Sequence, residues 1–383
     1  MNVSSRVFPP RKLKIAFAIN DLKVGGAQIM VTDQFRAIDR NRFDPTLITI
    51  YRETGLSLRE KYAFAPGEHV EFLFSSIRDI RSWFRVYQFL KKERFDIVIT
   101  NLFDTNCVVR SAAIAARVPR ILTYEHNIYY AKRLWQRIVD RILAKFTYRI
   151  LVGAPQVKTF TLQQEKLPEA QVEVVYDATE LTFEDVKRNR AAVLKKYGLP
   201  EDRLYIVACG RLIPQKGHPY LIEAMRLVLE RRKHLAGDIQ LLLFGEGILR
   251  NELLHLIEEK NLQDHIRMFG MTSVSDILAI SDIFSLISAW EGFSIALIQA
   301  MNAGCAIVAS RVSGSVDAIV DGVDGLLIPP LDSVAAATAY LKLIEDEPLR
   351  IKLGASAKKK SRLFDVKNQI KQIENIVSYD FPR

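Results

Sequence analysis

Leu204-Tyr205-Ile206-Val207-Ala208-Cys209-Gly210-Arg211-Leu212-Ile213-Pro214-Gln215-Lys216-Gly217 reads as a strand that runs into a glycine-bounded loop. The short apolar run Leu204–Cys209 suits a strand covered on both faces, and His218–Arg231 follows it as a helix. Beyond it, Ile239–Phe244, Ile266–Phe269, Ile283–Ile287, Ala306–Ala309 and Leu326–Ile328 read as further strands with helices between them. Three helices close the chain: Val334–Glu345, Leu349–Ser361 and Val366–Val377. Towards the N-terminus the same alternation gives strands Lys14–Ile19, Leu47–Ile50, Val70–Phe74, Asp96–Thr100 and Ile121–Tyr124. Helices Ala27–Asp39, Ile80–Lys92 and Tyr130–Phe146 lie among them. Short apolar strands between helices imply α/β domains with parallel sheets covered on both faces.

The alternation loosens between Asp177 and Pro200, where a polar helix, Glu184–Tyr197, is stopped by Gly198-Leu199-Pro200. The linker belongs there. A chain of 383 residues accommodates two such domains. We expect a Rossmann-like domain over residues 1–180, a second over 181–363, and a terminal helical segment over 364–383. In open α/β sheets ligands sit at the carboxyl ends of the strands.

Composition narrows the function. Cys107, Cys209 and Cys305 are far apart and form no C-x-x-C pair, which favours buried thiols in a reducing compartment over disulfides or zinc. No segment has the length of a membrane span. Arg6, Arg11, Lys12 and Lys14 precede the apolar run Ile15–Ile19, which is too short for a signal-peptide core and is ended by Asn20-Asp21. The sequon Asn2-Val3-Ser4 is then a chance match, and a cytoplasmic location is expected. Charge is uneven. Residues 1–180 hold 28 basic and 19 acidic residues, against 26 and 25 in residues 181–383, so an anionic partner belongs to the N-terminal half.

Three segments carry chemistry. Arg211 and Lys216 stand on a loop that follows a strand and precedes a helix, beside Gly210 and Gly217. A diphosphate needs positive charge and backbone N–H donors together, and this loop offers both. Two solvated surface charges are the alternative. Gly245-Glu246-Gly247 follows its strand in the same way. Neither turn has the third glycine of a dinucleotide fingerprint, which disfavours a dehydrogenase. Glu291-Gly292-Phe293-Ser294-Ile295-Ala296-Leu297-Ile298-Gln299-Ala300-Met301 follows the strand Ile283–Ile287. Ser294 fits a helix N-cap, leaving N–H groups near Phe293, Ser294 and Ile295 for a phosphate, with Glu291 and Gln299 placed to face the same ligand. A buried helix with a polar entry reads equally well from these residues.

Taken in order, Gly25-Gly26-Ala27, Gly210-Arg211 with Lys216, and Glu291-x7-Gln299 followed by Ala300-Met301-x-x-Gly304 resemble family 4 of the retaining glycosyltransferases. That resemblance spans nearly the whole chain. It implies the GT-B fold, two Rossmann-like domains with parallel sheets facing across a cleft, and a final helix crossing back to the N-terminal domain. It implies that Arg211 and Lys216 grip the donor diphosphate and that Glu291 binds hydroxyls of the transferred sugar. The Phe293–Ile295 backbone would meet phosphate and sugar, Gln299 the ribose, and the Gly25-Gly26 loop the phosphate. His126, in Glu125-His126-Asn127, matches a family histidine near the reacting sugar; from the residues alone a hydrogen-bonded loop histidine fits too.

Two departures stand out. Gln299 occupies a position where the family has a second glutamate, a loss on the order of 1 kcal/mol in ribose binding. Val175-Tyr176-Asp177-Ala178 lacks the family's Asn-Gly. There is no D-x-D motif, so no metal and no cofactor are expected, and cationic side chains with helix N-termini would stabilise the leaving phosphate. The expected reaction moves a sugar with retention, by front-face attack, from a nucleotide-sugar, with UDP favoured, to a glycan or lipid-linked acceptor. The alternatives are a homologue that binds sugar nucleotides without turnover, or another GT-B enzyme such as a sugar-nucleotide epimerase.

Two basic amphipathic segments lie in the N-terminal half, within 78–94 and 131–149. Arg133, Arg137, Arg141, Lys145 and Arg149 recur every fourth residue beside Leu134, Trp135, Ile138, Ile142 and Phe146. Arg78, Arg81 and Arg85 surround Ile80, Trp83 and Phe84. Such helices suit an anionic membrane surface, which would make the protein peripheral. The other reading packs the apolar stripe on the sheet and leaves the basic stripe in water. No nucleic-acid-binding module is recognisable.

Overall fold

A computed structural model describes residues 11–53, 56–59, 62–126 and 132–378. Asn2, Arg6, Asn127, Tyr130 and the segment beyond Ser378 lie outside the described residues. The chain divides into two compact units, one formed by the chain up to Tyr176 with the stretch from Val366, the other by Asp177–Asp365.

The first unit contains strands β1 (Leu13–Ile19), β2 (Phe43–Thr49), β3 (His69–Glu71), β4 (Ile97–Asn101), β5 (Arg120–Glu125), β6 (Arg149–Val152) and β7 (Val172–Val174). Between them run helices α1 (Gly26–Ala37), α2 (Ile80–Glu93), α3 (Phe103–Ala115), α4 (Leu134–Ala144) and α5 (Pro155–Glu165). The strands form one parallel sheet in the order β3-β2-β1-β4-β5-β6-β7. Strand β2 begins four residues before the expected Leu47 and contains Pro45. Pro45 pairs with Ile15 of β1, while β3 joins β2 only from Leu47 onward, so the missing N–H falls on an unpaired stretch of edge. Strands β6 and β7 were not expected. Arg149, expected to continue a helix, instead begins β6, because α4 stops at Ala144.

The second unit contains α6 (Arg190–Tyr197), α7 (His218–Arg231), α8 (Arg250–Glu259), α9 (Val274–Ile280), α10 (Ile295–Asn302), α11 (Ser315–Ala318), α12 (Ser333–Glu345) and α13 (Glu347–Ser361). Its six strands are β8 (Leu204–Cys209), β9 (Ile239–Phe244), β10 (Ile266–Phe269), β11 (Ile283–Leu286), β12 (Ala306–Ser310) and β13 (Leu326–Ile328). They are parallel, in the order β10-β9-β8-β11-β12-β13. Each sheet winds one way from its first strand and then the other, so each has a switch point: β1/β4 in the first unit and β8/β11 in the second.

Helix α14 (Val366–Ser378) belongs to the first unit. The buried side chain of Gln369 ties it there. Its Nε2 donates to the Tyr176 carbonyl at 2.8 Å, and its Oε1 accepts from Gln34 Nε2 at 2.9 Å. Glu374 accepts from the Asp39 backbone N–H at 2.8 Å, and Arg120 donates to the Val377 carbonyl at 2.9 Å.

A second buried network joins β5, α3, α4 and α5. The Lys132 ammonium lies 2.6 Å from Asp140, 2.6 Å from Glu165 and 3.8 Å from Glu125. These three carboxylates are the one group among the described residues spaced to hold a metal ion, and Lys132 supplies the cation there. Burial works against the lysine's charge, but the three carboxylates outweigh it and raise its pKa. Burial also pushes Glu125 up to about 7, with Lys132 opposing and Asp140 and Glu165 assisting. Of the cysteines, Cys107 and Cys305 are buried, Cys209 is half-buried, and none is disulfide-bonded.

Two outcomes are expected. Gln369→Leu strands the Gln34 amide and the Tyr176 carbonyl, each at about 1–3 kcal/mol, and should lower the urea midpoint of the first unit's unfolding transition, whereas exposed Lys371→Leu should not. Glu125 in the folded protein keeps a proton that the unfolded chain loses above its usual value of 4.5, so its stabilising effect is lost as pH rises to about 7. The stability difference between wild type and Glu125→Gln, from urea unfolding, should therefore fall between those pH values.

Candidate functional site

The switch point of the second sheet brings together the loops that follow β8, β9 and β11. Gly210, after β8, and Gly245, after β9, touch through their backbones: a Cβ at Gly245, whose φ is +143°, would lie 1.9 Å from the Gly210 carbonyl oxygen. A Cβ at Gly217, with φ +64°, would lie 2.0 Å from the Ile287 carbonyl oxygen. Only glycine fits either position, for space and for dihedral angle. Leu212 N–H donates to the Glu246 carbonyl at 2.9 Å, and Leu249 N–H to the Leu212 carbonyl at 3.0 Å, so the two loops are stitched into one surface.

This packing delivers two predicted residues to each other. The Lys216 ammonium stands 2.7 Å from Glu291 Oε1, with side chains 16% and 8% exposed. Ser288 Oγ donates to the same oxygen at 2.5 Å. Gln215 braces the loop by donating from Nε2 to the Trp290 carbonyl at 2.8 Å, while its own carbonyl accepts from Ala289 N–H at 2.8 Å. The ammonium and the hydroxyl both fall on Oε1 of this buried carboxylate, one charge-assisted and one neutral donor. The guanidinium of Arg211, at the exposed start of the loop, pairs with none of the described residues.

Ser294 caps α10 as expected, its Oγ accepting from Leu297 N–H at 3.3 Å. The backbone N–H groups of Ser294 and Ile295, buried at the start of α10, have no partner among the described residues. Gln299 is buried one turn into the helix, and its side-chain amide bonds to none of the other predicted residues. Ser288, Gln215, Gly314 and His218 were not singled out from sequence. Gly314, with φ +74°, brings the loop after β12 against Gly292, whose carbonyl oxygen would lie 2.1 Å from a Cβ there. His218 opens α7 beside Lys216; burial, then the lysine's charge, pushes its pKa down to about 4, so it is neutral at physiological pH. A histidine two residues after the loop lysine was the one available signal. A lone serine after a strand is none.

The first unit holds the remaining predicted residues at the carboxyl ends of its own strands. His126 follows β5, stacks on Tyr124 at 4.6 Å between centroids, and pairs through Nε2 with Asn101 Oδ1 at 2.9 Å. Asn101 Nδ2 donates to the Ala18 carbonyl at 3.1 Å, which leaves Oδ1 as an acceptor and assigns the proton to His126 Nε2. Gly25 is the N-cap of α1, a helix that begins with no side-chain cap and no acidic residue in its first turn.

Helix α4 is oriented opposite to the packed-stripe reading. Its apolar stripe faces solvent: Leu134 is 73% exposed and Phe146, just past its end, 60%, with Trp135, Ile138 and Ile142 between them also exposed. The buried residues of the helix are Asp140, Leu143 and Ala144. Arg137 and Arg141 fold back to donate to the backbone carbonyls of Lys132 and Glu165, at 3.1 and 2.9 Å. Asp140 turns inward because Lys132 awaits it. On α2, Ile80 (81% exposed) and Phe84 stand out beside Arg81 and Arg85. Among the described residues, no helix is long and apolar enough to cross a membrane.

Two family models match. Glycosyltransferase Family 4 matches residues 24–183, and Glycosyl transferases group 1 matches residues 189–360. An Escherichia coli protein named UDP-Gal:alpha-D-GlcNAc-diphosphoundecaprenol alpha-1,3-galactosyltransferase is 26% identical over 379 residues, covering 95% of this chain and 96% of its own. A Campylobacter jejuni protein named GalNAc-alpha-(1->4)-GalNAc-alpha-(1->3)-diNAcBac-PP-undecaprenol alpha-1,4-N-acetyl-D-galactosaminyltransferase is 24% identical over 361 residues, 92% of this chain and 95% of its own. Among solved structures, Anabaena HepE in complex with UDP and glucose matches with a TM-score of 0.82 at 20% identity, covering 96% of this chain and all of that one. With a model matched in each unit and the whole fold shared, the chain belongs to the family 4 glycosyltransferases and is a glycosyltransferase of GT-B type.

Proposed function

We propose that the protein transfers a hexosyl or N-acetylhexosaminyl group from a UDP-sugar, with retention of configuration, to a glycan built on a lipid carrier at an anionic membrane surface. The contact between Lys216 and Glu291 at the β8/β11 switch point carries this reading. It sets a cation for phosphate beside a carboxylate for sugar hydroxyls, as the junction between a diphosphate and its sugar requires. The named activities of the Escherichia coli and Campylobacter jejuni relatives support a lipid-diphosphate acceptor, and the UDP bound to HepE supports the donor class.

Cleavage of the sugar–phosphate bond builds negative charge on the leaving diphosphate. Arg211, Lys216 and the N–H groups of Ser294 and Ile295 would receive it, so that these residues take the part a metal plays elsewhere. In the resting protein Lys216 is neutralised by Glu291. An arriving diphosphate competes for the ammonium, while sugar hydroxyls replace it at the carboxylate. Gln299 would hold the ribose as a neutral partner. Within the first unit, His126 keeps its Nε2–H on Asn101, and the uncapped start of α1 at Gly25-Gly26 would offer N–H donors to an anion. The exposed stripes of α4 and α2 would rest on the membrane as a peripheral contact. A second reading, binding without turnover, is favoured by Gln299 alone.

Thermal unfolding against UDP, GDP, ADP and their sugar conjugates tests the donor site. UDP compounds should raise the melting temperature of wild type. Arg211→Ala should bind them at least tenfold more weakly, losing a charge-assisted contact of about 1.5–3 kcal/mol. Gly245→Ala should abolish the shift by forcing the two loops apart. A shift with GDP alone would overturn the choice of base, and no shift with any nucleotide would overturn the site. NMR of the product should show the anomeric configuration of the donor; an inverted product would refute retention, and bound donor with no product would favour the second reading.

A further inference from the structure

Beside the exposed stripe of α4 the first unit has a hollow of about 650 Å³ whose lining includes Arg141, Lys145, Arg149, Lys166 and Tyr148. Four of its ten lining residues are cations and none is a carboxylate. The interior groups that would repel an anion are covered from within. Gln171 Nε2 donates to the carbonyls of Ala144 and Thr147, at 2.6 and 2.8 Å, which occupies the negative end of α4. Arg141 Nε covers the Glu165 carbonyl at 2.9 Å. Of the lining cations only Arg149 pairs with a carboxylate among the described residues, loosely, with Glu173 at 3.9 Å. Lys145 and Lys166 are exposed and pair with no carboxylate among the described residues.

The hollow adjoins the apolar ridge of Ile138, Ile142 and Phe146 along the neighbouring face of the same helix. A cationic pocket beside an exposed apolar ridge matches one ligand chemistry: a phosphodiester joined to hydrocarbon. A soluble phosphate would use the cations and leave the ridge in water. We propose that this hollow is a headgroup site for an anionic phospholipid, filled when the ridge of α4 enters the membrane surface. This rests on the membrane-docked reading above. It also places lipid binding on residues separate from the β8/β11 site, so the two can be removed independently.

The test is co-sedimentation of the full chain with vesicles of phosphatidylcholine, alone or mixed with phosphatidylglycerol. Wild type should bind the mixed vesicles and not the neutral ones. Lys145→Ala/Lys166→Ala should weaken that binding about thirtyfold, from about 1 kcal/mol for each cation at an anionic surface. Lys12→Ala/Lys371→Ala, which removes the same charge from exposed positions outside α2 and α4, should stay near wild type. The urea midpoint of the first unit should be unchanged in both variants, which reports an intact fold. If the two double variants bind alike, the headgroup site is refuted and general membrane attraction stands. If wild type ignores the mixed vesicles, the site and the membrane-docked reading fall together.

Discussion

An ammonium and a carboxylate in contact, both largely out of water, organise the second unit. Either charge left alone there would cost several kcal/mol. Lys216 and Glu291 come from segments 75 residues apart, on loops after β8 and β11. They meet because the parallel sheet reverses direction between those two strands, and because glycines let the loops press together backbone to backbone. The pair also compensates two charges that are largely out of water. On the proposed reading, each partner would neutralise the other until a diphosphate and a sugar hydroxyl take their places.

The first unit is organised by a comparable buried cation. Lys132 draws in carboxylates from β5, α4 and α5, and in doing so decides which face of α4 points outward. With Asp140 committed to the interior, the apolar stripe has nowhere to go but the surface. The same network ends at Glu125, the residue before His126. One set of charges therefore fixes both the exposed ridge and the strand end that carries the histidine.

The sequence discloses much of this arrangement and hides particular parts. Strands such as Leu204–Cys209 and Ile239–Phe244 are legible because both faces are covered and, Gln240 apart, every residue in them is apolar. Arg211, Lys216 and Glu291 are legible because glycines and helix starts flank them. The strand β6 is not, since four residues so soon after a helix offer no period to read. Nor is the direction of α4: amphipathicity says that two faces differ, and only the tertiary position of Lys132 says which one meets water. Ser288 contributes a hydrogen bond to Glu291 that no local pattern announces.

On the proposed reading, the ion pair between Lys216 and Glu291 opens to receive the two halves of a sugar nucleotide. Calorimetric titration of UDP and of the matching UDP-sugar into wild type, Lys216→Met, Glu291→Gln and the double variant tests it directly. Lys216→Met should weaken both ligands, while Glu291→Gln should leave UDP binding intact and remove the added affinity contributed by the sugar. The two substitutions should also be non-additive for UDP-sugar, because the residues contact each other. Unchanged UDP binding in Lys216→Met, or equal losses of UDP and UDP-sugar in Glu291→Gln, would contradict it.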